Sequence, residues 1–140
     1  DKNLRPRTGA YPFELAYRLI NMYSVIGDTV LDPFLGTGTT TLASMASARN
    51  SVGYEIDEKF RSLIEERLVS SVPDCVAYNK LRLENHLKFV DAQKKVGKEL
   101  KNYNPTYEFD VVTRQETQLT IPIIDNLRKT NEQEFETSYL

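Results

Sequence analysis

Asp32 ends a short apolar run, Thr29-Val30-Leu31, and is followed by Pro33-Phe34-Leu35-Gly36-Thr37-Gly38-Thr39-Thr40. Glycines let a backbone pass close to a ligand, and a helix starting near Thr39 and Thr40 offers free N–H groups to an anion. A second acid, Glu55, closes another short run, Ser51-Val52-Gly53-Tyr54. A carboxylate at the end of a second strand suits a ribose diol. Acid, glycine turn and distal acid thus offer grips for a cation, an anion and a diol.

The elements that must hold these groups are legible on both sides. Residues 29–31 read as a strand, Thr40 to Arg49 as a helix and Ser51 to Glu55 as a second strand. This is the layout of a nucleotide-type cofactor pocket. The dinucleotide fingerprint G-x-G-x-x-G fails at its third glycine, because Thr39-Thr40-Thr41 follow Gly38. An acid ahead of the glycines would repel a pyrophosphate but pair with an ammonium. S-adenosylmethionine carries an ammonium, a carboxylate and a ribose diol. Asp32 suits the first, the helix start the second and Glu55 the third. A nicotinamide dinucleotide is the rival cofactor.

Upstream lies Arg7-Thr8-Gly9-Ala10-Tyr11-Pro12-Phe13-Glu14-Leu15. Pro12 suits a first helical position, and Glu14 a first turn, where the helix end is positive. Phe13, Ala16, Leu19, Ile20 and Tyr23 recur at helical spacing and read as a core face. The loop from Thr8 to Tyr11 is the part placed to touch a ligand.

Together these segments resemble the S-adenosylmethionine-dependent DNA amino-methyltransferases, which methylate N4 of cytosine or N6 of adenine. The family's tenth motif, a loop and then Pro-hydrophobic-Glu-Leu, is matched by Ala10 to Leu15. Its first motif, Asp-Pro-Phe-x-Gly-x-Gly-Thr-Thr, is matched by Asp32 to Thr40, and its second, Gly-x-Glu-hydrophobic-Asp, by Gly53 to Asp57. The resemblance implies an α/β fold: part of a Rossmann-like methyltransferase sheet with a helical and small β C-terminal extension. Residues 1–70 would be the cofactor-binding part and 71–140 the extension. By the same resemblance Thr8, Gly9, Ala10, Tyr11, Pro12, Asp32, Pro33, Phe34, Gly36, Gly38, Thr39, Thr40, Glu55 and Ile56 bind S-adenosylmethionine. Phe34 would support the catalytic face, and Tyr54 and Ile56 would flank the adenine or its ribose.

The family's fourth motif, Asp/Asn/Ser-Pro-Pro-aromatic, binds the amine of a flipped base. Prolines stand at 6, 12, 33, 73, 105 and 122, and no two are adjacent. Asn104-Pro105-Thr106-Tyr107 is the near match, with Asn104 and Tyr107 as the only catalytic candidates; it reads as a loop, since Asn-Pro signals a turn. In the family's beta class the catalytic half precedes the cofactor segments. The chain then corresponds to the C-terminal, cofactor-binding part, and its start at Asp1 fits a fragment, a processed chain or one piece of a split protein. A complementary polypeptide would carry the catalytic motif and target recognition, and DNA would be the substrate. The rivals are a non-catalytic cofactor-binding subunit and an RNA methyltransferase.

At 140 residues the length suits one domain, and the formal net charge of −2 argues against a basic nucleic-acid binder in its own right. Cys75 is the single cysteine and His86 the single histidine. An internal disulfide and a zinc constellation within the chain are therefore excluded, and a reducing cytoplasm is expected. No apolar run is long enough to span a membrane.

Beyond the glycine turn, Asp57 reads as the N-cap of a helix bearing Phe60, Leu63, Ile64, Arg67 and Leu68. Residues 70–74 read as a break, 81–101 as a second helix with a solvated charged face, and 103–107 as a turn. Residues 108–113 and 118–124 read as strands joined through 114–117, with Pro122 marking an edge. The tail ends in Phe135, Tyr139 and Leu140, which suit docking to another subunit.

Overall fold

The computed structural model describes residues 11–140. Helix α1 (Phe13–Tyr23) starts one residue after Pro12, which is extended (φ −62°, ψ 142°) and whose carbonyl accepts Leu15 N–H at 3.1 Å. Ala16, Tyr17 and Ile20 are buried. Leu19 and Tyr23, expected in the core, are exposed instead. At 100° per residue they share the outer side of the helix with Leu15 and Met22, also exposed. The inward stripe keeps Ala16 and Ile20 from the one expected and takes in Tyr17 in place of Leu19 and Tyr23.

Strand β1 (Thr29–Asp32), helix α2 (Thr39–Ala46) and strand β2 (Asn50–Gly53) form a crossover unit. The two strands are parallel, with Thr29 opposite Asn50 and Asp32 opposite Gly53. Helix α2 is buried along nearly its whole length, Thr41 excepted, because α1 packs on one side of it and the strands on another. Arg49 locks the ends of α1 and α2 together: Nη2 donates to Ser24 O at 2.7 Å and Nε to Ser24 Oγ at 3.0 Å. Leu31 and Val52, cross-strand partners, are 62% and 45% exposed. A parallel pair is normally covered on both faces, but among the described residues nothing covers the face that carries Leu31 and Val52.

Helix α3 (Lys59–Ser70) begins two residues after Asp57, whose Oδ1 accepts Lys59 N–H at 3.0 Å. The acid expected as N-cap thus braces the helix start from just outside it. The break expected over 70–74 shrinks to Ser71, and helix α4 runs from Val72 to Lys95, starting earlier and ending earlier than 81–101. Pro73 falls in its first turn, where a missing N–H is harmless. Gly97, left-handed at φ +78°, ends it, with Gly97 N–H and Lys98 N–H returning to Lys94 O and Gln93 O.

The described chain divides into two compact units, one reaching to Val76 and joined by Pro122–Leu140, the other Ala77–Ile121. Structurally, then, residues 71–140 are not one piece. In the second unit, β3 (Asn102–Asn104) pairs antiparallel with β4 (Phe109–Val111). The strand pairing expected between 108–113 and 118–124 does not form. Residues Arg114–Gln118 make a 3₁₀ turn in place of a hairpin connection, with Glu116 Oε2 accepting Thr113 N–H at 2.7 Å. Thr113-x-x-Glu116 is the sequence signature of such a start.

In the first unit, strands β5 (Ile124–Lys129) and β6 (Phe135–Tyr139) form an antiparallel hairpin. The hairpin is tied to the crossover unit and to α3: Tyr139 Oη donates to Met45 O at 2.8 Å, and Lys129 Nζ to Glu65 Oε2 at 2.6 Å. The tail expected to dock on another subunit therefore pairs within its own chain. Among the described residues no helix is long and apolar enough to cross a membrane.

Cys75 is buried, and desolvation pushes its thiol from 9.0 up to about 11. Burial also raises the Tyr139 phenol above its ordinary value. Both groups are held neutral in the folded state, while the unfolded chain ionises first. The Cys75 contribution to stability is therefore whole below pH 9 and is lost as pH rises through about 11, and the Tyr139 contribution falls in the same direction at alkaline pH. Urea melts at pH 8, 9.5 and 10.5 should show a falling midpoint, and Cys75→Ala should flatten that fall. Thiol reagents should label native Cys75 slowly at pH 8.

Candidate functional site

The site grows from the end of β1. Asp32 Oδ1 accepts Phe34 N–H at 3.0 Å, which turns the chain, and Oδ2 accepts the Thr40 hydroxyl at 2.5 Å. Tyr11 Oη also hydrogen-bonds Thr40 Oγ1. Thr40 has one hydroxyl proton, already given to Asp32, so Tyr11 is the donor. Tyr11, Thr40 and Asp32 therefore form one relay from the upstream loop to the strand end. Each Asp32 oxygen accepts one bond there, and a carboxylate oxygen can accept two.

Glu55 closes the far side. Its Oε2 accepts Gly36 N–H at 2.7 Å, and its Oε1 accepts Asp57 N–H at 2.9 Å. The backbone adds Leu35 N–H to Tyr54 O at 2.8 Å and Tyr54 N–H to Asp32 O at 2.9 Å. The glycine turn is thus stitched to the exit of β2 by main chain and carboxylate together.

The glycines do different work. A Cβ on Gly53 would lie 2.7 Å from the Leu35 methyls, and one on Gly38 would lie 3.1 Å from Ile64 Cγ2, with φ +78° besides. Both are required by packing within the fold. Gly36, at φ +53°, would meet only Phe34 O at 3.8 Å. Of these three it alone has room for a side chain, beside the Glu55 carboxylate that holds its N–H, and is a point where another molecule can approach the backbone. Phe34 and Ile56, 88% and 98% exposed, and Tyr54, exposed, offer apolar surface around that opening.

Thr39 and Thr40 are buried, and so is Thr37. Thr39 Oγ1 accepts from Arg67 Nη1 at 3.3 Å, so its side chain is engaged with the helix below the turn. What Thr39 offers outward is backbone N–H, one of the first-turn amides that no α-helix satisfies internally. Arg67 escaped the sequence reading, which placed it in the stripe of α3. The available signal was a cation among Phe60, Leu63, Ile64 and Leu68. Pro33 borders the turn along the chain, Tyr11 reaches it through Thr40, and Pro12 precedes α1; Thr8, Gly9 and Ala10 lie outside the described residues.

Asn104 and Tyr107 belong to the second unit and are structural brackets there. Asn104 is 1% exposed; its Nδ2 donates to Glu116 O at 2.8 Å and Leu119 O at 2.9 Å, and its Oδ1 accepts Thr106 N–H and Tyr107 N–H at 3.0 and 3.1 Å. Tyr107 Oη accepts Ile121 N–H at 2.6 Å. Neither end of the Asn104 amide is left for a substrate amine. Asn104→Ala should destabilise this unit by about 2–4 kcal/mol, since buried main-chain groups lose their partners. Affinity at the glycine turn should be unchanged, as chemical denaturation and calorimetry would check.

A family model described as DNA methylase, of the N6/N4 type, matches residues 2–66. The match takes in just under half of the chain. The chain is 47% identical over 138 residues to the type II methyltransferase M.MthZI of Methanothermobacter thermautotrophicus, a match covering 99% of this chain and 38% of that protein. It is 54% identical over 72 residues to M.MjaI of Methanocaldococcus jannaschii, covering 49% of this chain and 24% of that one. A solved DNA modification methylase of Thermus thermophilus, complexed with S-adenosyl-L-methionine, is 46% identical over 45% of this chain and 26% of its own, with a TM-score of 0.44. The chain spans under two fifths of the length of these curated relatives.

Proposed function

We propose that this chain binds S-adenosylmethionine as the cofactor-binding part, residues 1–70, of a DNA amino-methyltransferase acting on N4 of cytosine or N6 of adenine. The observation that carries the reading is the pair of anchored carboxylates, Asp32 and Glu55, at the two ends of one glycine turn whose Gly36 has room for a side chain. Asp32 retains acceptor capacity for an ammonium, Glu55 for a ribose diol, and the start of α2 for a carboxylate. Phe34, Tyr54 and Ile56 would shield the reacting group and the adenine from water. When bound, the cofactor supplies an electrophilic methyl group.

The amine-binding Pro-Pro motif is assigned to another segment or chain, because no two prolines of this one are adjacent. The bare face at Leu31 and Val52 supports such a partner, since a parallel sheet is normally covered there. The same lack of adjacent prolines favours, as second reading, a subunit that holds the cofactor without catalysing transfer. Calorimetry with S-adenosylmethionine and with a nicotinamide dinucleotide tests the site; preference for the dinucleotide would end the proposal. Labelled methyl transfer to DNA, by this chain alone and then with a relative's preceding segment, separates the two readings. Transfer only by the mixture supports the split enzyme, and none in either supports the binding subunit.

A further inference from the structure

We propose that Arg67 is a positioning residue that sets the posture of the glycine turn, a role that rests on that turn being the cofactor site. Thr37 stands between the two glycines and is buried. Its carbonyl accepts Arg67 Nη1 at 2.7 Å, and its Oγ1 lies 2.8 Å from the same nitrogen. One guanidinium nitrogen thus reaches both polar atoms of Thr37 and, at 3.3 Å, Thr39 Oγ1. Ile64, one turn earlier on α3, fills the space that a side chain on Gly38 would need. Helix α3 is therefore the floor of the turn, apolar under Gly38 and cationic under Thr37.

The turn is held from two sides by opposite charges. Glu55 holds Gly36 N–H, and Arg67 holds Thr37 C=O one residue on. Bonds to charged groups are stronger than neutral ones, and two of opposite sense on adjacent residues restrict how the peptide between them can rotate. That rotation sets the direction of the next amides: Gly38 N–H, which donates to Leu35 O at 2.9 Å, and Thr39 N–H, the donor offered to an anionic group. Arg67 also sits in the last turn of α3, where the helix end favours a cation. A lysine ammonium also carries its donors on one nitrogen but ends a differently shaped stem, so it should regain some of these contacts and not all.

The test uses the full chain with Arg67→Met, Arg67→Lys and, as a matched destabilisation, Leu63→Ala. Amide exchange at Gly36, Gly38 and Thr39 is read without ligand, and S-adenosylmethionine affinity by calorimetry. Folding is checked by circular dichroism. Arg67→Met should speed exchange at those amides and weaken binding, each about tenfold, the factor for one hydrogen bond to a charged group. Arg67→Lys should recover part of both, and Leu63→Ala should lower the melting temperature without either effect. Unchanged exchange in folded Arg67→Met, or the same local effects in Leu63→Ala, would overturn the proposal. Should Arg67→Met not fold, Arg67→Lys decides by the same exchange readout. A native chain that binds no S-adenosylmethionine sinks the cofactor reading, whereas the exchange result judges Arg67 separately.

Discussion

Replacing Glu55 by alanine is expected to weaken S-adenosylmethionine binding by about a hundredfold or more. Two losses combine. The carboxylate that would accept the ribose hydroxyls disappears, and so do the acceptors of Gly36 N–H and Asp57 N–H. The second loss acts on the protein itself. The Gly36–Glu55 bond is only partly buried, so the stability penalty should stay at about 1–2 kcal/mol. Binding should therefore fall much further than stability. Glu55→Gln keeps one carbonyl acceptor and loses the charge, so it should fall between alanine and the native chain. Calorimetry beside urea melts measures both axes. An alanine variant that binds normally would remove Glu55 from the site.

The second large effect concerns Asp32. Asp32→Asn should leave the fold intact, because the Asn carbonyl can still accept Phe34 N–H as Oδ1 does. Its amide end, however, cannot accept the Thr40 hydroxyl, so the relay from Tyr11 must reverse or break. A ligand ammonium would lose its counter-charge and meet a donor. A drop of about a hundredfold in affinity is expected, the scale of a lost charge-assisted contact at a partly shielded site. Thr40→Val separates the two causes. It cuts the relay but keeps the carboxylate, so binding should weaken only a few-fold. If Thr40→Val were as damaging as Asp32→Asn, the acid would matter for holding Tyr11 and not for gripping a cation.

Much of this site was legible before any coordinates. The order acid, glycine turn, helix, strand, acid is local, and the bonds of Asp32 to Phe34 and Thr40 join residues close in sequence. The bond from Glu55 to Gly36 follows from the pairing of two short strands that their apolar runs announced. Elsewhere local signals misled. Pro73 looked like a breaker but sits in a first turn, and only the continuation of α4 past it reveals that. Asn104-Pro105 read correctly as a turn, but the spacing did not reveal that the Asn104 amide is consumed by Glu116 and Leu119.

The amino-acid sequence by itself determined the crossover unit, its glycine turn and the two acids, because strand alternation, helix starts and turn residues are decided by neighbours along the chain. Tertiary structure alone decided which glycine is open, which threonines point inward, that Arg67 reaches Thr37 from 30 residues away, and that the last hairpin returns to α2. Those outcomes depend on which surfaces meet after the chain closes on itself. A side chain's type and local spacing do not specify its distant partner; packing and hydrogen-bond satisfaction do.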